Sequence, residues 1–192
     1  DTLMTPWGLV GDVTEEKNRA LVERVRGLLQ KEEEWKQFLG VERIDAIRFS
    51  MIKEEDYRGG HVLQFNITSD RGEKVVVAKL HHSQRENHVN PTDQEFDFTL
   101  RAAQAGIHPP AAVIADTLLW ERPDAISLEE LKRNPEWIAV FLGEDAGETY
   151  IRALGRAFGV LNKELRISKY TVKEEDILIA RDGKVYVLNF SA

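Results

Sequence analysis

Between positions 46 and 80 apolar and polar residues alternate in three runs. AIRFSMI (46–52) places Ile47, Phe49 and Met51 on one face, HVLQFNI (61–67) places His61, Leu63, Phe65 and Ile67 together, and KVVVAKL (74–80) is rich in β-branched residues. Alternation of this kind predicts half-buried strands, and Asp70-Arg71-Gly72 predicts a hairpin turn between the second and third. Helical spacing takes over on either side. Leu21, Val22, Val25, Leu28, Leu29, Trp35, Phe38 and Leu39 predict one long packing helix or two short ones over 14–39, closed by Gly40. DQEFDFTLRAAQAG (93–106) predicts a helix that ends at Gly106, since Pro109-Pro110 prevents it from continuing.

AAVIA (111–115) and TLLWE (117–121) predict two more strands, and Ser127 with Glu130 forms a capping box at the start of LEELKR. Asn134-Pro135 breaks that helix. Residues 137–165 predict helix in two parts joined near 143–147, the second amphipathic through Ile151, Leu154, Phe158 and Leu161. DILIA (176–180) and KVYVLNF (184–190) predict a hairpin over Arg181-Asp182-Gly183. Residues 1–13, with Pro6, Gly8 and Gly11, predict an irregular arm. Early strands followed by later helices predict an α+β fold rather than a wound parallel sheet.

Composition narrows the chemistry. With 192 residues, 42% of them apolar, the chain can bury a real core as one domain or a small bilobal one. Its 26 basic and 33 acidic residues give a net charge of −7, which argues against nucleic acid as the main partner. The absence of cysteine excludes disulfides, thiolate catalysis and Cys-based zinc sites, and agrees with a cytoplasmic location. No apolar run reaches the roughly 18–20 residues of a membrane span. The start on Asp1 reads as a trimmed N-terminus. G-x-S-x-G, H-E-x-x-H and Walker A patterns are all missing, which removes the corresponding hydrolase, metalloprotease and NTPase classes. His81, His82 and His88 sit in a polar loop, where adjacent histidines do not converge on one metal.

Three strands, a helix and two strands is the order of a protein-kinase small lobe, and the residues resemble it too. VVVAKL is similar to the strand whose lysine pairs the α/β-phosphates of ATP, which gives that place to Lys79. In the next helix Glu95, 11 residues before Gly106, resembles the carboxylate partner of that lysine in RIO-type and KEOPS-type atypical kinases, with Asp97 as its competitor. LLWERPDAISLEEL is similar to the strand, hinge and helix of an adenine site, with Glu121 at the hinge. LGRAFGVLNKELRISKYTVKEEDILIARDGKVYVLNF resembles the segment carrying the catalytic loop and metal strand. The resemblance covers residues 45–192, roughly three quarters of the chain. It implies a protein-kinase-like α+β fold: an N-terminal arm and helix (1–44), an antiparallel five-stranded N-lobe (45–122) and a reduced, mostly helical C-lobe (123–192) ending at the metal-strand position.

The departures carry equal weight. Aligned on H-R-D-x-x-x-x-N, the chain has Lys169 at the His, Thr171 at the catalytic Asp and Asp176 at the Asn. Asn189 stands at the metal-binding Asp and Ser191 at the following Gly. Threonine is no base near neutral pH, with Glu174 and Glu175 the nearby acids that could replace it. Asp176 and Asn189 still supply a carboxylate and an amide oxygen, both acceptable to Mg²⁺. The phosphate loop is poor: EEDYRGGHV offers Gly59-Gly60 beside Glu54, Glu55 and Asp56. The resemblance therefore implies a pseudokinase, a nucleotide-binding or regulatory module that takes ATP with Mg²⁺ and a protein partner, with little or no catalysis. An unorthodox phosphotransferase and an interaction domain without a nucleotide site are the alternatives. Residue by residue, the alternative readings are a snorkelling strand-edge lysine for Lys79, a solvated helix charge for Glu95, and turn residues for Asp176 and Asn189.

Overall fold

A computed structural model describes residues 2–5, 8–12, 19–55, 60–81, 91–142, 148–167 and 172–190. The chain divides into two compact units, one of residues 1–85 with 111–122 and the other of 86–110 with 123–192. The fold is α+β, and among the described residues no helix is long and apolar enough to cross a membrane.

The first unit is built on a five-stranded antiparallel sheet of order β3-β4-β5-β7-β6. Its strands are β3 (Ile44–Glu55), β4 (Gly60–Ser69), β5 (Gly72–His81), β6 (Ala111–Ile114) and β7 (Thr117–Glu121). The alternation seen in the sequence fixes the register: Ile47 faces Ile67, Phe49 faces Phe65, and Phe65 in turn faces Val76. A slip of one residue would expose that whole set. Helices α1 (Arg19–Leu29) and α2 (Glu32–Leu39) cover this face, burying Val25, Leu28, Leu29, Trp35 and Leu39 with Leu63, Phe65, Ile67 and Leu119. Within the 14–39 stripe the described residues thus form two short helices, and their buried apolar residues are used within the chain. Trp35 stacks edge-on against Phe65 with centroids 5.4 Å apart, and its Nε1–H donates to Leu28 O at 2.9 Å. Gly40 ends α2 in a left-handed conformation, as the pattern predicts. In the β4–β5 turn, Asp70 Oδ1 accepts from the N–H groups of Glu42 and Arg43, tying the entry of β3 to the turn. Those N–H groups hold the Asp70 carboxyl below its ordinary pKa.

One expectation for this unit changes. Residues within the presumed irregular arm pair as an antiparallel hairpin, β1 (Thr2–Thr5) with β2 (Gly8–Asp12).

The second unit holds α3 (Pro91–Gln104), β8 (Ala125–Ser127), α4 (Leu128–Arg133), α5 (Ile138–Leu142), α6 (Glu148–Gly159), β9 (Ile177–Ala180) and β10 (Val185–Val187). Helix α3, grouped with the sheet in the sequence reading, packs Phe98 and Ala102 into the core of this unit with Ile107, Leu161, Val187 and Phe190. The predicted hairpin forms over Arg181-Asp182-Gly183, Gly183 taking φ 86°. It is one strand larger than the pattern indicated, because Ala125–Ser127 pairs along β9. Three residues are too few to show alternation. Ser127 both ends β8 and caps α4, its Oγ accepting from Glu130 N at 3.1 Å. The stripe of α6 also differs: Ile151 is 65% exposed, while Ala157 and Leu161 point inward. Helix α6 runs into a wider π turn over Val160–Glu164, which rotates Leu161 and Ile167 into the core.

Candidate functional site

The candidate residues fall into two groups, one in each unit. In the first, β5 alternates Val76, Ala78 and Leu80 towards α1 and α2, so Val75, Val77 and Lys79 point to the opposite face. Lys79 lies directly across from Val62 on β4 and Leu118 on β7, and Val77 lies across from Gln64 and Trp120. Directly opposed residues share a face. Lys79 therefore ends a mainly apolar face of Val62, Val77, Leu118 and Trp120, in which Gln64 is polar and accepts from Arg122 Nη1 at 3.1 Å. It is only 5% exposed, so its ammonium does not snorkel to solvent.

Glu121 pairs with Val76 and hence faces the helix-covered side, away from the face of Lys79. Its carboxylate stands 3.9 Å from Lys74 Nζ. The structure does not bring the Glu121 and Lys79 side chains onto one surface. A hinge contribution at this point would come from backbone, and there the N–H of Arg122 is bonded to Val75 O at 2.9 Å.

In the second unit, Glu95, Thr99 and Ala102 follow one another along the buried face of α3, with Glu95 3% exposed. This is no solvated helix charge. Its competitor Asp97 is mostly exposed and pairs with Arg101 at 3.6 Å on the outer surface. Among the described residues, Lys79 and Glu95 are the two buried side chains of the Lys, Arg, Asp and Glu types. Taking a charged group out of water costs several kcal/mol, so two buried ionisable side chains are a costly feature for the fold to retain.

Asp176 and Asn189 are brought together. The N–H of Leu188 donates to Asp176 O at 2.8 Å, so the residue before Asn189 is bonded to the residue that precedes β9. Asn189 takes a left-handed conformation with φ 63°, which asparagine tolerates better than most residues. The pair offers a carboxylate and an amide oxygen at neighbouring backbone positions. Among the described residues no three His, Asp or Glu side chains gather as a metal site. A carboxylate and an amide oxygen are donor types that Mg²⁺ accepts, together with several waters.

Thr171 lies outside the described residues, as do His82, His88 and Gly59. Of the two acids nearest to it in sequence, Glu174 accepts from Lys132 Nζ at 2.7 Å, and Glu175 lies 3.9 Å from Lys173. These groups, with Glu129 and Arg133, line an open depression of mixed charge beside α4.

One polar residue escaped the sequence reading. His108 is 3% exposed, its Nδ1 is 2.7 Å from Pro109 O, and its ring lies 6.2 Å from that of Phe190. A carbonyl only accepts, so Nδ1 carries the proton. Burial pushes the His108 pKa down to about 4, opposed in part by that hydrogen bond. Its setting between Ile107 and Pro109, just past a helix-ending glycine, was the available signal. No protein-family model matches the chain, and no curated protein does either.

Proposed function

We propose that this chain is a degenerate protein-kinase-like domain that binds an adenine nucleotide as a regulatory module, without ordinary phosphotransfer. The observation that carries the reading is the buried ammonium of Lys79 at the end of the apolar face formed by Val62, Val77, Leu118 and Trp120. An apolar floor suits a purine ring, and a compact ammonium suits its phosphates. The resemblance gives the carboxylate role to Glu95 or Asp97; within its own unit Glu95 is buried while Asp97 is exposed and bonded to Arg101, which favours Glu95.

Asp176 and Asn189 would face the metal, with carboxylate and amide exchanged relative to the usual order but the same pair of donor types. Held by these two residues, Mg²⁺ would supply positive charge against that of a nucleotide's phosphates. Thr171 at the base position is the reason for expecting no ordinary phosphotransfer, since loss of a general base typically removes about 10²–10⁴ in rate. Glu174 is engaged by Lys132 rather than held for that role.

The interaction-domain alternative draws support from Trp137, Ile138 and Val140, all large apolar residues more than 40% exposed on and beside α5. Thermal denaturation with ATP, ADP and adenosine, each with and without Mg²⁺ or Mn²⁺, separates the readings. A ligand at about 100 times its Kd stabilises by about 2.7 kcal/mol. We expect ATP to raise the midpoint and metal to add to the rise. No shift with any nucleotide at millimolar concentration would leave the interaction domain.

A further inference from the structure

The residues around Asn189 are held one by one. The N–H of Val187 donates to Ile107 O at 2.8 Å, and the N–H of Leu188 donates to Asp176 O at 2.8 Å. Phe190 is buried in the core of its unit, its ring tilted 44° to that of His108. Between these anchors Asn189 makes the left-handed turn. The segment that grips Val187 and Phe190 is itself fixed. Gly106 takes φ 80°, Ile107 N donates to Ala102 O at 3.0 Å, and His108 is closed onto Pro109 O. The end of α3 is thereby joined to the strand that presents Asn189.

We infer that the 107–109 turn is a positioning element for Asn189, with His108 acting through the ring of Phe190 to hold the left-handed turn that sets Asn189 beside Asp176. The part played at the metal rests on the reading of Asp176 and Asn189 as the metal-facing pair; the clamp itself does not. A backbone turn gripped on both sides stays in one conformation without cost when a ligand arrives. Loosened, it would have to be ordered at that moment. Partners that orient metal ligands in this way change metal affinity by about 10–100-fold when removed.

The experiment uses the full chain, ¹⁵N-labelled, as wild type, His108→Ala and His108→Phe. The first readout needs no ligand: the heteronuclear NOE of the Asn189 amide, with Val185 in β10 as reference. His108→Ala should lower the NOE at Asn189 and leave Val185 unchanged, and His108→Phe, which keeps a ring against Phe190, should restore it. The second readout is the ratio of ATP affinities with and without Mn²⁺. That ratio should fall by about tenfold or more in His108→Ala and recover in His108→Phe. Should His108→Ala not fold, Phe190→Leu removes the same ring contact with a smaller loss of volume and should loosen Asn189 alike. An unchanged Asn189 NOE in a folded His108→Ala protein would overturn the inference. A lowered NOE in a protein whose wild type gains nothing from Mn²⁺ would confirm the clamp and instead sink the metal-facing reading.

Discussion

His108 should make the stability of this protein fall with acid in a defined window. Its imidazole is buried against Phe190 and donates from Nδ1 to Pro109 O, and burial lowers its pKa from 6.5 to about 4. The unfolded chain therefore binds a proton more readily than the folded one between those values. The His108 contribution is fully present above pH 6.5, is lost as pH falls through the window, and levels off once pH has passed below the folded-state pKa of about 4. At about 1.36 kcal/mol for each tenfold change, the displacement amounts to about 2 kcal/mol lost by pH 5 and about 3 kcal/mol by pH 4. Carboxylates add an acid dependence of their own, Asp70 among them because its pKa is lowered. The informative quantity is thus a difference. His108→Asn keeps a donor near the position of Nδ1 and cannot titrate. Urea denaturation of both proteins at several pH values from 7.5 to 4 should show wild type losing about 3 kcal/mol more than the variant across the range. Parallel curves for the two proteins would refute the reasoning.

The remaining predictions concern the frame that holds the candidate residues. Trp35→Ala removes a fully buried ring and the donor to Leu28 O, and should cost about 3–5 kcal/mol in urea denaturation. Ser127→Ala removes the cap of α4 and should cost about 1 kcal/mol, whereas Ser127→Asp should largely retain stability. Gly183→Ala meets Thr149 Cγ2 only at ordinary contact distance, 3.5 Å, so its cost comes from φ 86° and should be about 1–2 kcal/mol.

Period and punctuation made much of this fold legible. Ile47, Phe49, Leu63, Phe65 and Val76 announced the sheet and its inward face because strand periodicity is strict where one face is buried. Gly40, Gly106 and Gly183 marked endings because each needs a positive φ that glycine adopts without strain. The β8 strand was hidden by its length, and its last residue, Ser127, advertised a helix cap instead. Ile151 misled because a helix of a small unit need not bury every apolar residue on its stripe. Within the candidate site, residue types and order pointed to Lys79, Glu95, Asp176 and Asn189. Burial, which decides between a solvated charge and a retained one, depends on tertiary packing and could not be read from sequence. The opposite facing of Glu121 and Lys79 follows from pairing register, and His108 from the packing of a turn against Phe190.

The central claim is that Lys79 belongs to a nucleotide site. Calorimetric titration of ATP into wild type and Lys79→Met, each with and without Mg²⁺, tests it most directly. Methionine fills much of the same volume without charge; since removing one member of a buried charge pair can cost about 3–5 kcal/mol, thermal denaturation without nucleotide first establishes that the variant is folded. The account predicts measurable ATP binding to wild type, strengthened by Mg²⁺, and its loss in a Lys79→Met protein that remains folded. Binding that survives Lys79→Met, or no heat from wild type at millimolar ATP, would contradict it.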